Sequence, residues 1–220
     1  MHSPDYNCLK EFNKIAVEDI MRIRKFSHLD LDFVIDIGAN IGIATIYAKI
    51  LFPNAKIISL EPDPVSFKCL KKNTEFIKDI CLEQKAFGDG GKCNINDREN
   101  TFLGKYTTES ADGEIESLTL SEIFEKYDLS VKSKYFIKSD CEGAEKYFIG
   151  DPFSKNAIVE SQLFFMEVHF KSKKTPMFDI EWNVYNDWLH DNFSKTHNVD
   201  YFISNRHRGY GHYLLSRKGI

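Results

Sequence analysis

Apolar positions along the chain change their period near Asp30. Before it, Leu9, Phe12, Ala16, Ile20 and Ile23 recur at steps of three and four, the spacing of one helix face, so residues 1–30 read as an amphipathic N-terminal helix. Packing on the rest of the chain is the simplest role for that face, and a lid over a bound substrate is the alternative. After Asp30, short apolar runs alternate with helical stretches, the mark of βαβ units that share a mostly parallel sheet.

The pattern predicts strands at Phe33–Ile37, Lys56–Leu60, 81–87, Tyr135–Ser139 and 163–168. It predicts helices at 41–52, 65–77 and 120–127, one near 142–149, and another marked by Trp182, Tyr185 and Leu189. Ala44, Tyr47, Ala48 and Leu51 line one face of the first of these, and Pro53 and Asn54 end it. Residues 88–113, rich in Gly, Asn, Asp and Thr, read as loop or hairpin. Segments 200–204 and 212–216 flank a Gly209-Tyr210-Gly211 turn, so the chain ends on a hairpin that adds one antiparallel strand. The fold class is therefore α/β and Rossmann-like. The 220 residues, 42% of them hydrophobic, suffice for one core and one domain, with residues 1–30 as its N-terminal helix and 31–220 as its main body.

Charge narrows the partners. Twenty-nine basic and 33 acidic side chains give a net charge of −4 without long blocks of either sign, which argues against nucleic acid. Cys8, Cys69, Cys81, Cys93 and Cys141 are odd in number and scattered, with no C-x-x-C pair, so they read as reduced packing thiols of a cytoplasmic protein. No apolar run has the length of a membrane span or the character of a signal peptide.

Two ends of the sheet carry candidate chemistry. The first strand runs into Asp36-Ile37-Gly38-Ala39-Asn40-Ile41-Gly42 directly before a helix, where glycines let the backbone turn tightly and approach a ligand. The second strand ends in Glu61-Pro62, near the spacing at which an acid meets ribose hydroxyls. Where the third strand runs out, Ala86 and Phe87 can border an adenine ring with Asp89 near its amino group, or these residues merely close the strand. Strand, glycine turn, helix, strand and terminal Glu together point to nucleoside binding. At the other end, Lys138, Asp140, Glu142 and Glu145 fall at a strand-to-helix junction, and Glu167 and His169 end the fifth strand. Alternation puts Lys138 with Asp140 and Glu167 with His169, so two neighbouring strands aim polar groups at one crevice. Glu142 and Glu145 read equally as first-turn acids that complement a helix dipole.

With D-x-G-A-N-x-G at 36–42, E-P at 61–62, K-x-D-x-E-G-x-E at 138–145 and E-x-H at 167–169, the sequence resembles the FkbM family of methyltransferases. Ser139 departs from the pattern, which usually has an aliphatic residue there. The resemblance implies a class I methyltransferase fold, S-adenosylmethionine as donor, and methyl transfer to a hydroxyl of a sugar, glycan or secondary metabolite. An alcohol needs a general base or a metal to lose its proton, and Asp140 or His169 can act as the base, supported by Lys138 and Glu167. Asp140 can instead orient the donor's amino group. Asp140, Glu142, Glu167 and His169 also form a donor set suited to Mg²⁺ or Mn²⁺. The rival readings are a nicotinamide-dependent oxidoreductase, weakened by the missing central glycine, and a noncatalytic nucleoside-binding module on the same fold.

Overall fold

The computed structural model describes residues 5–97, 105–205 and 208–220. Its centre is a seven-stranded sheet built from β1 (Phe33–Ile37), β2 (Lys56–Leu60), β3 (Ile80–Glu83), β8 (Tyr135–Ser139), β9 (Leu163–His169), β10 (His197–Asn205) and β11 (Tyr210–Arg217). The order across it is β10-β11-β9-β8-β1-β2-β3, with β11 antiparallel to both neighbours and the remaining pairs parallel. The C-terminal hairpin thus joins the sheet as its spacing predicts. All five residues of β1 are buried because the strand is paired on both edges and covered on both faces. Ile35 and Ile37 pack into one apolar cluster and Val34 into the other. Truncating such a side chain to Ala costs about 2–5 kcal/mol.

A smaller four-stranded sheet stands beside the main one, formed by β4 (Ala86–Phe87), β5 (Lys92–Asp97), β6 (Lys105–Glu109) and β7 (Ile115–Leu118) in the order β4-β7-β5-β6. The third strand expected at 81–87 is split between the two sheets. The last register pair of β2 and β3 is Leu60 with Glu83, and beyond it the chain of β2 turns at Pro62, which leaves β3 no ladder partner. Ala86 and Phe87 pair instead with Ser117 and Leu118 of β7.

Helices α2 (Ile43–Leu51) and α3 (Pro64–Asn73) follow β1 and β2, and α4 (Leu120–Lys126) is closed by a capping box between Thr119 and Glu122. The helix expected near 142–149 is a 3₁₀ turn at Ala144–Phe148, since Glu142 (φ 53°) and Gly143 (φ 103°) are left-handed and break the helical path. The crossover to β9 is made by α5 (Pro152–Glu160), capped by Asp151 with Pro152 at its first position. Helix α6 (Trp182–Phe193) buries Tyr185, Leu189 and Phe193.

The N-terminal segment also departs from its pattern. Helix α1 (Asp5–Phe12) passes into a π-type turn at Asn13–Val17 and stops. Asp19 (φ 51°) accepts hydrogen bonds from the amides of Ile23 and Arg24, each at 3.1 Å, and from the Tyr47 hydroxyl at 3.0 Å. That local alternative to helical bonding ends the helix before Ile20. Ile23 is consequently buried, whereas Leu9 and Phe12 remain exposed.

Candidate active site

At the C-terminal edge of the parallel strands lies a cavity of about 560 Å³. Its nucleotide end is shaped by backbone. The amides of Gly38 and Ala39 both donate to the carbonyl of Leu60 (3.0 and 2.9 Å), and the Asp140 amide donates to that of Ile37 (3.1 Å), so three strand ends are pinned together. Gly38 is left-handed (φ +77°), and a Cβ there would lie 1.8 Å from the Asp140 carbonyl oxygen. Helix α2 then starts at left-handed Gly42 with no side-chain cap, an arrangement that leaves first-turn amides for a ligand.

Glu61 is buried, and each of its oxygens accepts a backbone hydrogen bond at 2.8 Å, one from Asn40 and one from Asp63. Burial outweighs those bonds and pushes its carboxyl up to about 7. Asp63 caps α3 through the Ser66 amide and takes an ion pair from Lys105 of β6 at 2.8 Å. That ion pair anchors the small sheet over the cavity.

At the chemical end, Lys138 is buried and paired with Asp36 at 3.0 Å, and it donates to the Gly38 carbonyl at 2.7 Å. Burial disfavours its charge, but Asp36 and Asp140 hold the ammonium above the ordinary lysine range. Burial, reinforced by the charge of Glu167, raises Asp140 well above the usual carboxylate range. His169 meets Glu145 through Nδ1 (3.1 Å) and faces both Glu142 and Glu167 through Nε2 (3.4 Å each). These carboxylates outweigh its burial and hold it protonated well above the usual imidazole value. Glu145 is fully buried, accepting from the Cys141 and Gly143 amides at 2.8 and 2.9 Å, so it organises the strand-to-helix junction. Ligand atoms of Asp140, Glu167 and His169 lie within 4.8 Å of one another, with Glu142 at the edge of the group.

The structure brings Gly38, Ala39, Asn40, Glu61, Pro62, Ala86, Phe87, Lys138, Asp140 and Glu142 to the cavity wall. It places the other candidates behind that wall. Asp36 is consumed by Lys138 and by the Thr45 hydroxyl (2.6 Å), so it braces the site without lining it. Gly42 packs on Leu70. Asp89 turns into its own loop to accept from the Gly91 amide at 2.9 Å. Glu167 and His169 stand behind Asp140 and Glu142, and both His169 nitrogens face carboxylates, which counts against His169 as a direct base. Sequence reasoning missed Ile95, Lys105, Tyr106 and Thr107 of the small sheet, which also line the cavity, and Glu11 and Ile15, which bring the N-terminal segment to it. It missed His212 of β11 too, bonded to Glu167 at 2.6 Å. The alternation of His212, Leu214 and Ser216 was the only signal for it.

A doubly covered sheet with this strand order, a glycine turn after β1 and a cavity at its C-terminal edge define a Rossmann-like methyltransferase fold of class I. Residues 36–210 match the methyltransferase FkbM domain, and the chain belongs to that family. Methyltransferase sdnD of Sordaria araneosa is 46% identical over 41 residues, 19% of this chain and 16% of that protein. Methyltransferase 1 of Beauveria bassiana (strain ARSEF 2860) is 39% identical over 46 residues, 21% of this chain and 18% of that protein. The matched segment thus spans less than a fifth of either relative. Among solved structures, a protein assigned as a caffeoyl-CoA O-methyltransferase from Staphylococcus aureus is similar at 12% identity and TM-score 0.48, over 96% of this chain and 92% of that one. One assigned as an rRNA methylase from Clostridium thermocellum is similar at 10% identity and TM-score 0.49, over 90% and 96%. Among the described residues, no helix is long and apolar enough to cross a membrane.

Proposed function

We propose that this methyltransferase uses S-adenosylmethionine to methylate a hydroxyl of a sugar, glycan or secondary metabolite. The observation that carries the reading is one cavity walled by Gly38, Asn40 and Glu61 at one end and by Lys138, Asp140 and Glu142 at the other. A nucleoside donor and a hydroxyl acceptor need such a shared space, because displacement at the methyl carbon requires the two in line. When bound, the donor supplies an electrophilic methyl group on a sulfonium.

The chain's own residues do the rest. Glu61 accepts from the ribose diol, the Gly38–Asn40 backbone lies against the nucleoside, and Phe87 borders the adenine. Asp140, a cavity-lining carboxylate whose oxygen lies within 4.8 Å of the ligand atoms of Glu167 and His169, takes the acceptor's proton, with Lys138 and Glu142 flanking it. His169 and Glu167 hold that carboxylate from behind.

A second reading adds a divalent cation, and the donor set fits one: Asp140, Glu167 and His169 converge, and Glu145 occupies Nδ1 so that Nε2 faces the group. Those three residues would hold Mg²⁺ or Mn²⁺, which would acidify the acceptor hydroxyl. Exhaustive chelation separates the readings, since turnover that survives it removes the cation and turnover restored by Mg²⁺ or Mn²⁺ supports it. Calorimetry tests the donor. S-adenosylhomocysteine binding with no binding of NAD is the expected result, and the reverse refutes the proposal.

A further inference from the structure

We propose that His212 is a positioning residue of the methyl-transfer site, fixing the Glu167 carboxylate against the cluster that backs Asp140. The inference rests on the reading above for what the cluster does, but its geometry stands by itself. His212 lies directly across from Glu167 in the antiparallel pairing of β11 with β9. Its Nε2 is 2.6 Å from Glu167 Oε2, and the other oxygen of the same carboxylate is 3.4 Å from His169 Nε2. Glu167 is therefore stretched between two imidazoles, one on each oxygen. Hydrogen bonds from both hold it well below the usual carboxylate range in spite of its burial.

Among the described residues, the other neighbours of the His212 ring are aromatic. The residue is 2% exposed, and its ring lies 5.6 Å from Phe165, 5.9 Å from Phe202 and 5.9 Å from Tyr210, centroid to centroid. Among the described residues Nδ1 has no hydrogen-bond partner, and the contact with Glu167 is the ring's only polar contact. A buried polar ring with an orphaned nitrogen is a poor way to fill an aromatic box, and a phenyl group would pack there without desolvating any polar atom. What histidine adds over phenylalanine is the one donor aimed at Glu167. Without it, the carboxylate is free to rotate fully onto His169, drawing that imidazole away from Glu142 and from the side where Asp140 meets the acceptor.

The test compares His212→Phe, which keeps the ring and removes the donor, His212→Asn, which is too short to reach, and His212→Gln, whose amide can donate from nearly the same place. Each protein is saturated with S-adenosylhomocysteine, and the ring-nitrogen NMR resonances of His169, assigned by their loss in His169→Gln, are recorded at neutral pH. The Phe and Asn variants should shift those resonances while the Gln variant leaves them near the wild-type positions. With an acceptor found by labelled-donor screening, kcat should fall at least about tenfold in the Phe and Asn variants with KM little changed, and recover in the Gln variant. A merely structural histidine would lower the melting temperature and move neither His169 nor kcat, and that result overturns the proposal. Failure of the wild-type protein to bind S-adenosylhomocysteine or transfer methyl would instead defeat the functional reading, while the ligand-free His169 spectrum still reports on His212.

Discussion

Glu61 already accepts a backbone hydrogen bond on each oxygen, so a ribose diol must use the lone pairs that remain. Removing the side chain deletes those acceptors and loosens the Asn40 and Asp63 amides with them. Glu61→Ala should therefore weaken S-adenosylhomocysteine by about 1.5–3 kcal/mol, tenfold or more in Kd. The group also makes the affinity pH-dependent. Its carboxyl is raised to about 7, and the diol needs it ionised, so affinity should climb as pH rises through that value and flatten in Glu61→Gln. An affinity that is level from acidic to basic pH would show that Glu61 does not meet the ligand. Asp140 makes the complementary prediction for chemistry: Asp140→Asn should lower turnover by about 10²–10⁴-fold while leaving S-adenosylhomocysteine affinity close to wild type. A large loss of affinity would make it a donor ligand instead of the base.

Among the elements, the turn between β1 and α2 admits the least change. Gly38 and Gly150 share a left-handed backbone, but a Cβ on Gly38 would strike the Asp140 carbonyl at 1.8 Å, whereas one on Gly150 meets nothing within 4 Å. Gly150→Ala should thus show only the backbone strain, about 1–2 kcal/mol, and bind S-adenosylhomocysteine normally. Gly38→Ala should show that strain plus the separation of β1 from β8, and lose ligand binding; thermal melts and calorimetry on the two variants decide it. The elements with a strong period were legible from the sequence: β1, β2, β8 and β9 fall within a residue or so of their apolar runs, and the motifs after β1, β2 and β8 bring residues to one cavity wall, with Glu167 and His169 of β9 behind it. What could not be read depended on contacts distant in sequence. β3 stops where β2 runs out of partner, the helix after β8 is broken by two left-handed residues, and α5 hides behind an Asp151-Pro152 start that lacks a strong apolar stripe. The polar composition of residues 88–113 leaves loop and hairpin open without strand bounds; β5 and β6 pair antiparallel there, and β6 brings Lys105, Tyr106 and Thr107 to the wall. The site behind Asp140 was half legible, because Glu167 and His169 alternate visibly on one strand while His212 reaches them only through sheet pairing.

Across the whole molecule, the cavity draws its walls from the main sheet, the small sheet and the N-terminal segment, so ligand binding should stabilise all three together. S-adenosylhomocysteine at a hundred times its Kd should add about 2.7 kcal/mol to the unfolding free energy and raise the melting temperature as one transition. Lys105→Ala, which cuts the ion pair tying the small sheet to Asp63, should reduce that shift more than it reduces the stability of the ligand-free protein. An undiminished shift would show that the small sheet takes no part in holding the ligand. In the proposed reaction this cavity passes a methyl group from S-adenosylmethionine to a hydroxyl oxygen. The most direct measurement is incubation of the purified protein with methyl-labelled S-adenosylmethionine and a panel of sugars, glycans and hydroxylated metabolites, followed by mass spectrometry of every labelled product. A labelled methyl ether on one acceptor class, abolished or strongly reduced in Asp140→Asn, is the expected result. Label recovered only on nitrogen or carbon atoms, or no transfer across the panel by a protein that binds the donor, would contradict it.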